Sequence, residues 1–427
     1  MIHKLNKIKT FFSGLILLCS SLAANGQDFK PSVFPDRLIL NWSGNPETSQ
    51  SITWRTDTTI NIGMAQVVQE DSSPALEIKA KEYKGTTQKL SGASFESGNY
   101  HSVNIDGLEP GTLYTYRVGD GQHWSEWLQF KTASVKPEPY SFIYLGDAQN
   151  DIRSKWSRVI RRAFATRSDA RFIIHSGDLI NRSNNDIEWG EWHYGASFIN
   201  GMIPAIPTPG NHEYTRNEKK ELVLDPHWRF QYTLPLNGPE GLEESVYYTD
   251  YQNMRIISLN SQMIVLDSVS LATQARWLEN VLKENKKLWT VITYHHPIYS
   301  TAKGRDNKEF REVFQPLFEK YHVDLLLQGH DHTYSRGRNL PVGVSKKVGG
   351  PVYVVSVSGP KMYKISSERW MDTSAEDTQL FQVIHIDGND LKFEAYKASG
   401  QLFDSFSLKK SNQNEPARFT DFNPNKK

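Results

Sequence analysis

Six residues far apart in the chain, Asp147, Asp178, Asn211, His295, His330 and His332, stand where apolar runs break off. The runs are SFIYLGDAQ, RFIIHSGDLIN, AIPTPGNHEY, VITYHHPIY and DLLLQGHDH. Together they offer two carboxylates, an amide oxygen and three imidazoles, a donor set suited to first-row divalent metals or iron. A catalytic zinc typically takes about three protein ligands and keeps one position open, so six donors divide better between two ions. Alternate side chains of an extended segment share a face. If the extended geometry persists past Gly329, His330 and His332 point together, one for each of two adjacent ions, while Asp331 points away. Taken alone, a Gly-Asp pair reads as a turn or helix cap, and an asparagine after Pro-Gly reads as a turn. Five such endings in one stretch of chain read as one site.

Something rigid must hold these donors. Ligands of α/β sheets gather at the carboxyl ends of strands, and glycine beside a donor lets backbone approach closely. Amphipathic segments are predicted at 151–166, 271–282 and 310–321, alternating with the apolar runs, which indicates an α/β domain over residues 137–410. In the first segment Ile152, Trp156, Val159, Ile160 and Ala163 form the apolar face, and Arg153, Lys155, Arg158, Arg161 and Arg162 its solvated side. PVYVVSVSG, FQVIHIDG, LKFEAYK and LFDSFSLKK read as strands completing a sheet, and residues 411–427 as a polar, disordered tail.

Ahead of Pro137 and Pro139 the pattern differs. RLILNW, SITWRTD, MAQVVQE, LEIKAKE, HSVNIDG, LYTYRVGD and WLQFKTA are short alternating segments separated by turn residues. That spacing predicts an antiparallel sandwich of roughly 100 residues over 27–136. At the N-terminus, Lys4, Lys7 and Lys9 precede an apolar run to about residue 24 and then Asn25-Gly26-Gln27. Residues 1–26 read as a secretory signal peptide, with a secreted or periplasmic mature chain. The run is shorter than the about 20 apolar residues of a transmembrane helix, and no other segment qualifies. Cys19, the single cysteine, lies inside this leader; Leu18 disfavours lipid anchoring there, and a mature chain carries no thiol. Lys+Arg 49 against Asp+Glu 48 leaves no nucleic-acid surface evident, so the partner is a small molecule.

Gly146-Asp147, Gly177-Asp178, GNHE at 210–213, His295 with Pro297 and GHDH at 329–332 resemble the calcineurin-like metallophosphoesterases. The preceding module, with LEPGTLYTYRV, Tyr114 as corner tyrosine and Trp54 as core tryptophan, resembles fibronectin type III, so the whole is most similar to two-domain purple acid phosphatases. That resemblance implies an all-β N-terminal sandwich plus an α/β catalytic domain of two packed mixed sheets flanked by helices. It implies Asp147 and His332 on a first metal, Asn211, His295 and His330 on a second, and Asp178 bridging them, with Fe, Zn or Mn as the ions. His212 becomes the catalytic histidine facing the phosphate, and His296 a substrate contact. The chain departs from the pattern twice. The tyrosine ligand three residues after the bridging aspartate is replaced by Asn181, and the histidine other metallophosphoesterases carry two residues after the first aspartate is replaced by Gln149. Either residue can offer a neutral oxygen, Gln149 as an extra metal ligand or metal-ligand support and Asn181 also toward substrate.

The expected activity is hydrolysis of phosphomonoesters, as a small-molecule phosphate ester, by attack of a metal-bound hydroxide. Loss of the tyrosine keeps a phosphodiesterase or nucleotide hydrolase as the alternative. A surface binding protein with an inactive phosphoesterase domain is the alternative of another class. Trp189, Trp192, His193, Tyr194, His227 and Trp228 read as pocket lining or core, and Tyr299 and Arg336 as residues near the site, with Arg336 on a phosphate or in a salt bridge.

Overall fold

Segments that alternate β-branched or aromatic residues with polar ones fit a half-buried pleated surface, and the first of them form a sandwich. A computed structural model of the chain describes residues 29–93, 95–338 and 350–425. One antiparallel sheet runs, in spatial order, Asp36–Asn41, Ser49–Asp57, Phe95–Asp106 and Thr86–Gly92; the other runs Lys81–Lys84, Met64–Gln69, Leu113–Gly119 and Leu128–Lys131. Ile52, Trp54, Val67, Tyr116 and Phe130 fill the space between them. Trp54 is fully buried, and the Tyr114 hydroxyl accepts the Glu109 N–H at 2.8 Å, closing the corner before its strand. Two local readings differ. LEIKAKE begins as a short helix, Leu76–Lys79, and Thr86–Gly92 is a strand that the alternation does not reveal, because Leu90 is its single buried residue.

The remaining chain folds into two seven-stranded mixed sheets. The first runs Ala205–Pro207, Ile173–His175, Tyr140–Leu145, Leu380–Asp387, Asp390–Lys397, Leu402–Lys409 and Arg418–Asp421, parallel among its first three strands and antiparallel thereafter. The second runs Tyr247–Tyr251, Met254–Ser258, Trp289–Thr293, Leu325–Gln328, Val352–Val355, Tyr334–Gly337 and Met371–Ala375, with four parallel strands at its centre. Strand parity assembles the core: Leu325 and Leu327 join the cluster between the sheets, whereas Leu326 joins the cluster beneath the Ser268–Glu284 and Lys308–Lys320 helices. Burial on both faces is why such strands read as unbroken apolar runs. The helices Ser157–Thr166 and Asp186–Ala196 cover the other side, burying Val159, Ile160, Trp189 and Trp192.

The tail is a correction. Arg418–Asp421 adds an edge strand to the first sheet, pairing Phe419 with Leu408, because the alternation of that short segment buries Phe419 although the flanks are polar. Among the described residues no helix is long and apolar enough to cross a membrane; the leader and Cys19 lie outside the described residues.

The sandwich is tied to the rest of the molecule by polar contacts. Asn41 Nδ2 donates to Ala205 O at 2.8 Å, Leu40 N to Asn200 O at 2.9 Å and the Tyr116 hydroxyl to Gly201 O at 2.6 Å. Arg37 and Arg55 both donate to Asp186.

Candidate metal centre

All five apolar runs are strands that end on the same side of the two sheets. Asp147 follows Tyr140–Leu145, Asp178 follows Ile173–His175, and Asn211 opens a helical turn after Ala205–Pro207. His295 follows Trp289–Thr293, and His330 and His332 follow Leu325–Gln328. The first sheet thus supplies three donors and the second supplies three, across the seam between them. Asp147, Asp178, His330 and His332 have φ of 44°, 52°, 72° and 46°. Left-handed backbone at a residue with a side chain costs roughly 1–3 kcal/mol and persists where surrounding structure over-determines it, most often at functional sites.

Two clusters result. Ligand atoms of Asp178, His295 and His330 lie within 4.8 Å of one another, and so do those of Asp147, Asp178 and His332. Asp178 belongs to both. Asn211 Oδ1 joins the first cluster, 3.2 Å from His295 Nε2. The imidazoles are oriented by backbone carbonyls: His295 Nδ1 donates to Ser176 O at 2.8 Å and His332 Nδ1 to Lys361 O at 3.1 Å. With Nδ1 committed to a carbonyl, Nε2 of each ring is the nitrogen that faces the carboxylates, 3.0 Å from Asp178 for His295 and 3.8 Å from Asp147 for His332. A second hydrogen bond of this kind is how ligating histidines are held.

The electrostatics of the donors suit a cation. Asp147 and Asp178 are 1 % exposed. Burial drives the Asp147 carboxyl well above its usual range, and the charge of Asp178 adds to this although His295 pulls the other way. Burial works against a charged His295, yet Asp178 and Asp147 hold it up at about 9. His332, by contrast, is lowered to about 3 by burial and the nearby Lys361. Gln149 Nε2 lies 2.9 Å from His332 Nε2 and 3.2 Å from Asp178 Oδ2, while its Oε1 is buried without a partner. A buried Asp147 carboxyl that its neighbours under-compensate, an Asp178 carboxyl that, against burial, His295 pulls below its usual range, and ring nitrogens converging on both fit a pair of cations.

Residues 125–334 match the family model for calcineurin-like phosphoesterases, and residues 35–132 match that for the N-terminal domain of purple acid phosphatases. The chain belongs to the calcineurin-like phosphoesterases. It is a metal-dependent phosphoric ester hydrolase of the purple acid phosphatase type. Purple acid phosphatase 21 of Arabidopsis thaliana is 26% identical over 340 residues, covering 77% of this chain and 72% of its own length. Acid phosphatase type 7 of Homo sapiens is 26% identical over 351 residues, covering 75% of each. Among solved structures, purple acid phosphatase PPD1 from yellow lupin superposes with a TM-score of 0.75 at 20% identity over 88% of this chain and 74% of that one, a likeness of fold.

Other residues of the phosphoesterase fall into place around the clusters. His212 is beside Asp178, its N–H donating to Asp178 Oδ1 at 2.9 Å and its Nδ1 to Asn181 O at 2.5 Å. Asn181 thus enters the site through its carbonyl. His296 packs 4.2 Å from the His330 ring. Ser261 Oγ accepts the N–H of His295 and of His296 and donates its own hydrogen to His296 Nδ1 at 3.0 Å, so the proton of neutral His296 is on Nε2.

Trp189, Trp192 and Trp228 are fully buried and His193 and His227 nearly so; all are core. Tyr194 is partly exposed over Arg161. Arg336 is fully buried against Asp404, 2.8 Å away, and Tyr299 donates to Gln315 at 2.6 Å; neither faces the clusters' donors. Glu213 escaped notice in the sequence except as the last letter of GNHE. Its carboxylate accepts the N–H of Gly210, Asp178 and Leu179 at 2.6, 2.9 and 2.8 Å, tying two donor loops together.

Proposed function

We propose that this phosphoesterase hydrolyses phosphomonoesters at a two-metal site. Asp147 and His332 hold one ion, Asn211, His295 and His330 hold the other, and Asp178 is shared. The observation that carries the reading is the membership of Asp178 in both donor clusters, with His212 hydrogen-bonded beside it. The Gln149 amide, whose Nε2 faces His332 and Asp178, would offer Oε1 to the first ion after a half-turn about its terminal bond. When bound, an ion pair of this kind polarises a phosphoryl oxygen and lowers the pKa of water to near neutrality.

The chain's own residues do the rest. Because His212 Nδ1 is committed to the Asn181 carbonyl, Nε2 is the nitrogen left for substrate. In the imidazolium form, with Nδ1–H still on that carbonyl, it passes its Nε2 proton to the leaving oxygen as the phosphorus–oxygen bond breaks, a role typically worth about 10²–10⁴ in rate. His296 offers its Nε2 hydrogen to a phosphoryl oxygen, its ring held by Ser261. The buried surroundings of Asp147 and Asp178 strengthen these charge interactions.

Residues 1–26 act as an export leader, so the chain works outside the cytoplasm, with residues 27–136 as the sandwich and the catalytic domain running from 137 through the edge strand Arg418–Asp421. The test compares p-nitrophenyl phosphate with bis-p-nitrophenyl phosphate, with and without chelator. Chelator-sensitive preference for the monoester supports the reading; preference for the diester overturns the substrate class, and activity indifferent to chelator overturns the metal site.

A further inference from the structure

The peptide plane that orients His212 is gripped from its opposite edge. The carbonyl accepting His212 Nδ1 belongs to the Asn181–Arg182 peptide, whose N–H donates to Glu188 Oε2 at 2.8 Å. The preceding N–H, of Asn181, donates to the same oxygen at 2.7 Å. Glu188 Oε1 accepts Asn185 Nδ2 at 2.8 Å and Arg182 Nε at 3.1 Å, so one carboxylate collects four donors. A trans peptide is planar, with its N–H and C=O pointing in opposite directions. Fixing the N–H edge therefore fixes the carbonyl direction. An anion on the N–H also polarises the unit and strengthens the bond its carbonyl accepts.

Glu188 is in the first turn of the Asp186–Ala196 helix, and the start of that helix is clamped by the sandwich. Arg37 donates to Asp186 Oδ1 at 2.7 Å, to Oδ2 at 2.8 Å and to its carbonyl at 3.0 Å; Arg55 donates to Oδ2 at 3.1 Å. Both guanidinium side chains are almost wholly buried, and Arg55 is itself held by Asp36 at 2.9 and 2.6 Å. Bidentate arginine pairs of this type fix orientation as well as distance.

We infer that Glu188 is a positioning residue for His212, and that the sandwich completes the device by anchoring Asp186 through Arg37 and Arg55. The inference rests on the reading of His212 as the substrate-facing histidine. It gives the N-terminal module a part in catalysis although none of its described residues belongs to the donor clusters.

The test is a double-mutant cycle on p-nitrophenyl phosphate, with metal content and thermal unfolding measured for every variant. A misplacement near 1 Å can cost about a hundredfold in rate, so Glu188→Gln is expected to lower kcat by about tenfold to a hundredfold, with KM and metal content little changed. In a His212→Ala background the same substitution should change kcat by less than about twofold, since effects transmitted through one residue do not add. Asp186→Asn, which leaves every hydrogen bond of Glu188 in place, should give a smaller loss with the same dependence on His212. Equal losses in both backgrounds would show that Glu188 acts independently of His212 and overturn the inference alone. A His212→Ala enzyme with full metal and unchanged kcat would overturn the reading of His212 and this inference with it.

Discussion

Asp178→Asn removes one negative charge and almost no volume. Its Oδ1 can still accept the His212 N–H, so the loop around it has reason to keep its shape. What changes is the shared ligand. Asp178 and Asp147 have donor atoms within 4.8 Å, a separation at which two unit charges repel by about 3.5 kcal/mol or more at an effective dielectric of about 20. Bound cations must offset that repulsion, and each draws on Asp178. Losing a residue that merely supports a ligand weakens metal binding by about 10–100-fold, and a direct ligand is worth at least as much. Applied to two ions, the joint loss is about 10²–10⁴, or roughly 3–5.5 kcal/mol. The assay is metal analysis after gel filtration in metal-free buffer, with Asp147→Asn in parallel because Asp147 belongs to one cluster. The wild type should keep two ions per chain, Asp147→Asn about one, and Asp178→Asn fewer than Asp147→Asn. An Asp178→Asn protein that kept both ions and full hydrolysis, or lost less metal than Asp147→Asn, would refute the sharing argument.

A Cβ on Gly329 would collide with the Asp147 carboxylate, so Gly329→Ala should lower metal content and kcat together, read by the same metal analysis and by turnover. Iron-loaded protein should lack a strong visible charge-transfer band, because Asn181 stands where the resembling enzymes place tyrosine; an absorption spectrum with that band refutes it. Lys410 and Asp324 form a buried pair 2.6 Å apart, each side chain 1% exposed. Lys410→Met should therefore cost about 3–5 kcal/mol at pH 7 in denaturant unfolding with chelator present. Burial raises the Asp324 carboxyl from 3.8 to about 6 despite Lys410, so the folded state binds its proton more tightly than the unfolded chain does. Stability from this group falls as pH rises from about 4 to about 6, by about 3 kcal/mol. The double change Asp324→Asn with Lys410→Met should flatten that slope, and an unchanged slope would contradict the assignment.

Chemistry type and local period are written in short stretches of chain, and that is why so much of the site was legible. The six donors, their place after apolar runs, the sandwich signalled by short alternating segments, and the helices near 151–166, 271–282 and 310–321 follow from residue identity and spacing. Parity did not carry past Gly329: the strand ends at Gln328, His330 and His332 take left-handed backbone, and each joins a different cluster. The edge strands Thr86–Gly92 and Arg418–Asp421 were not legible, since an edge buries too few residues to impose an apolar pattern.

Tertiary structure decided what touches what. That Arg336 meets Asp404 rather than a phosphate, that Trp189 and Trp192 are core, and that Glu213 and Glu188 hold the amides of the donor loops depend on partners brought near by closure of the sheets. The same holds for the grip of Arg37 and Arg55 on Asp186, across more than a hundred residues of chain. A side chain's donors and acceptors are local properties, whereas its partners are set by packing, and packing is a property of the whole fold.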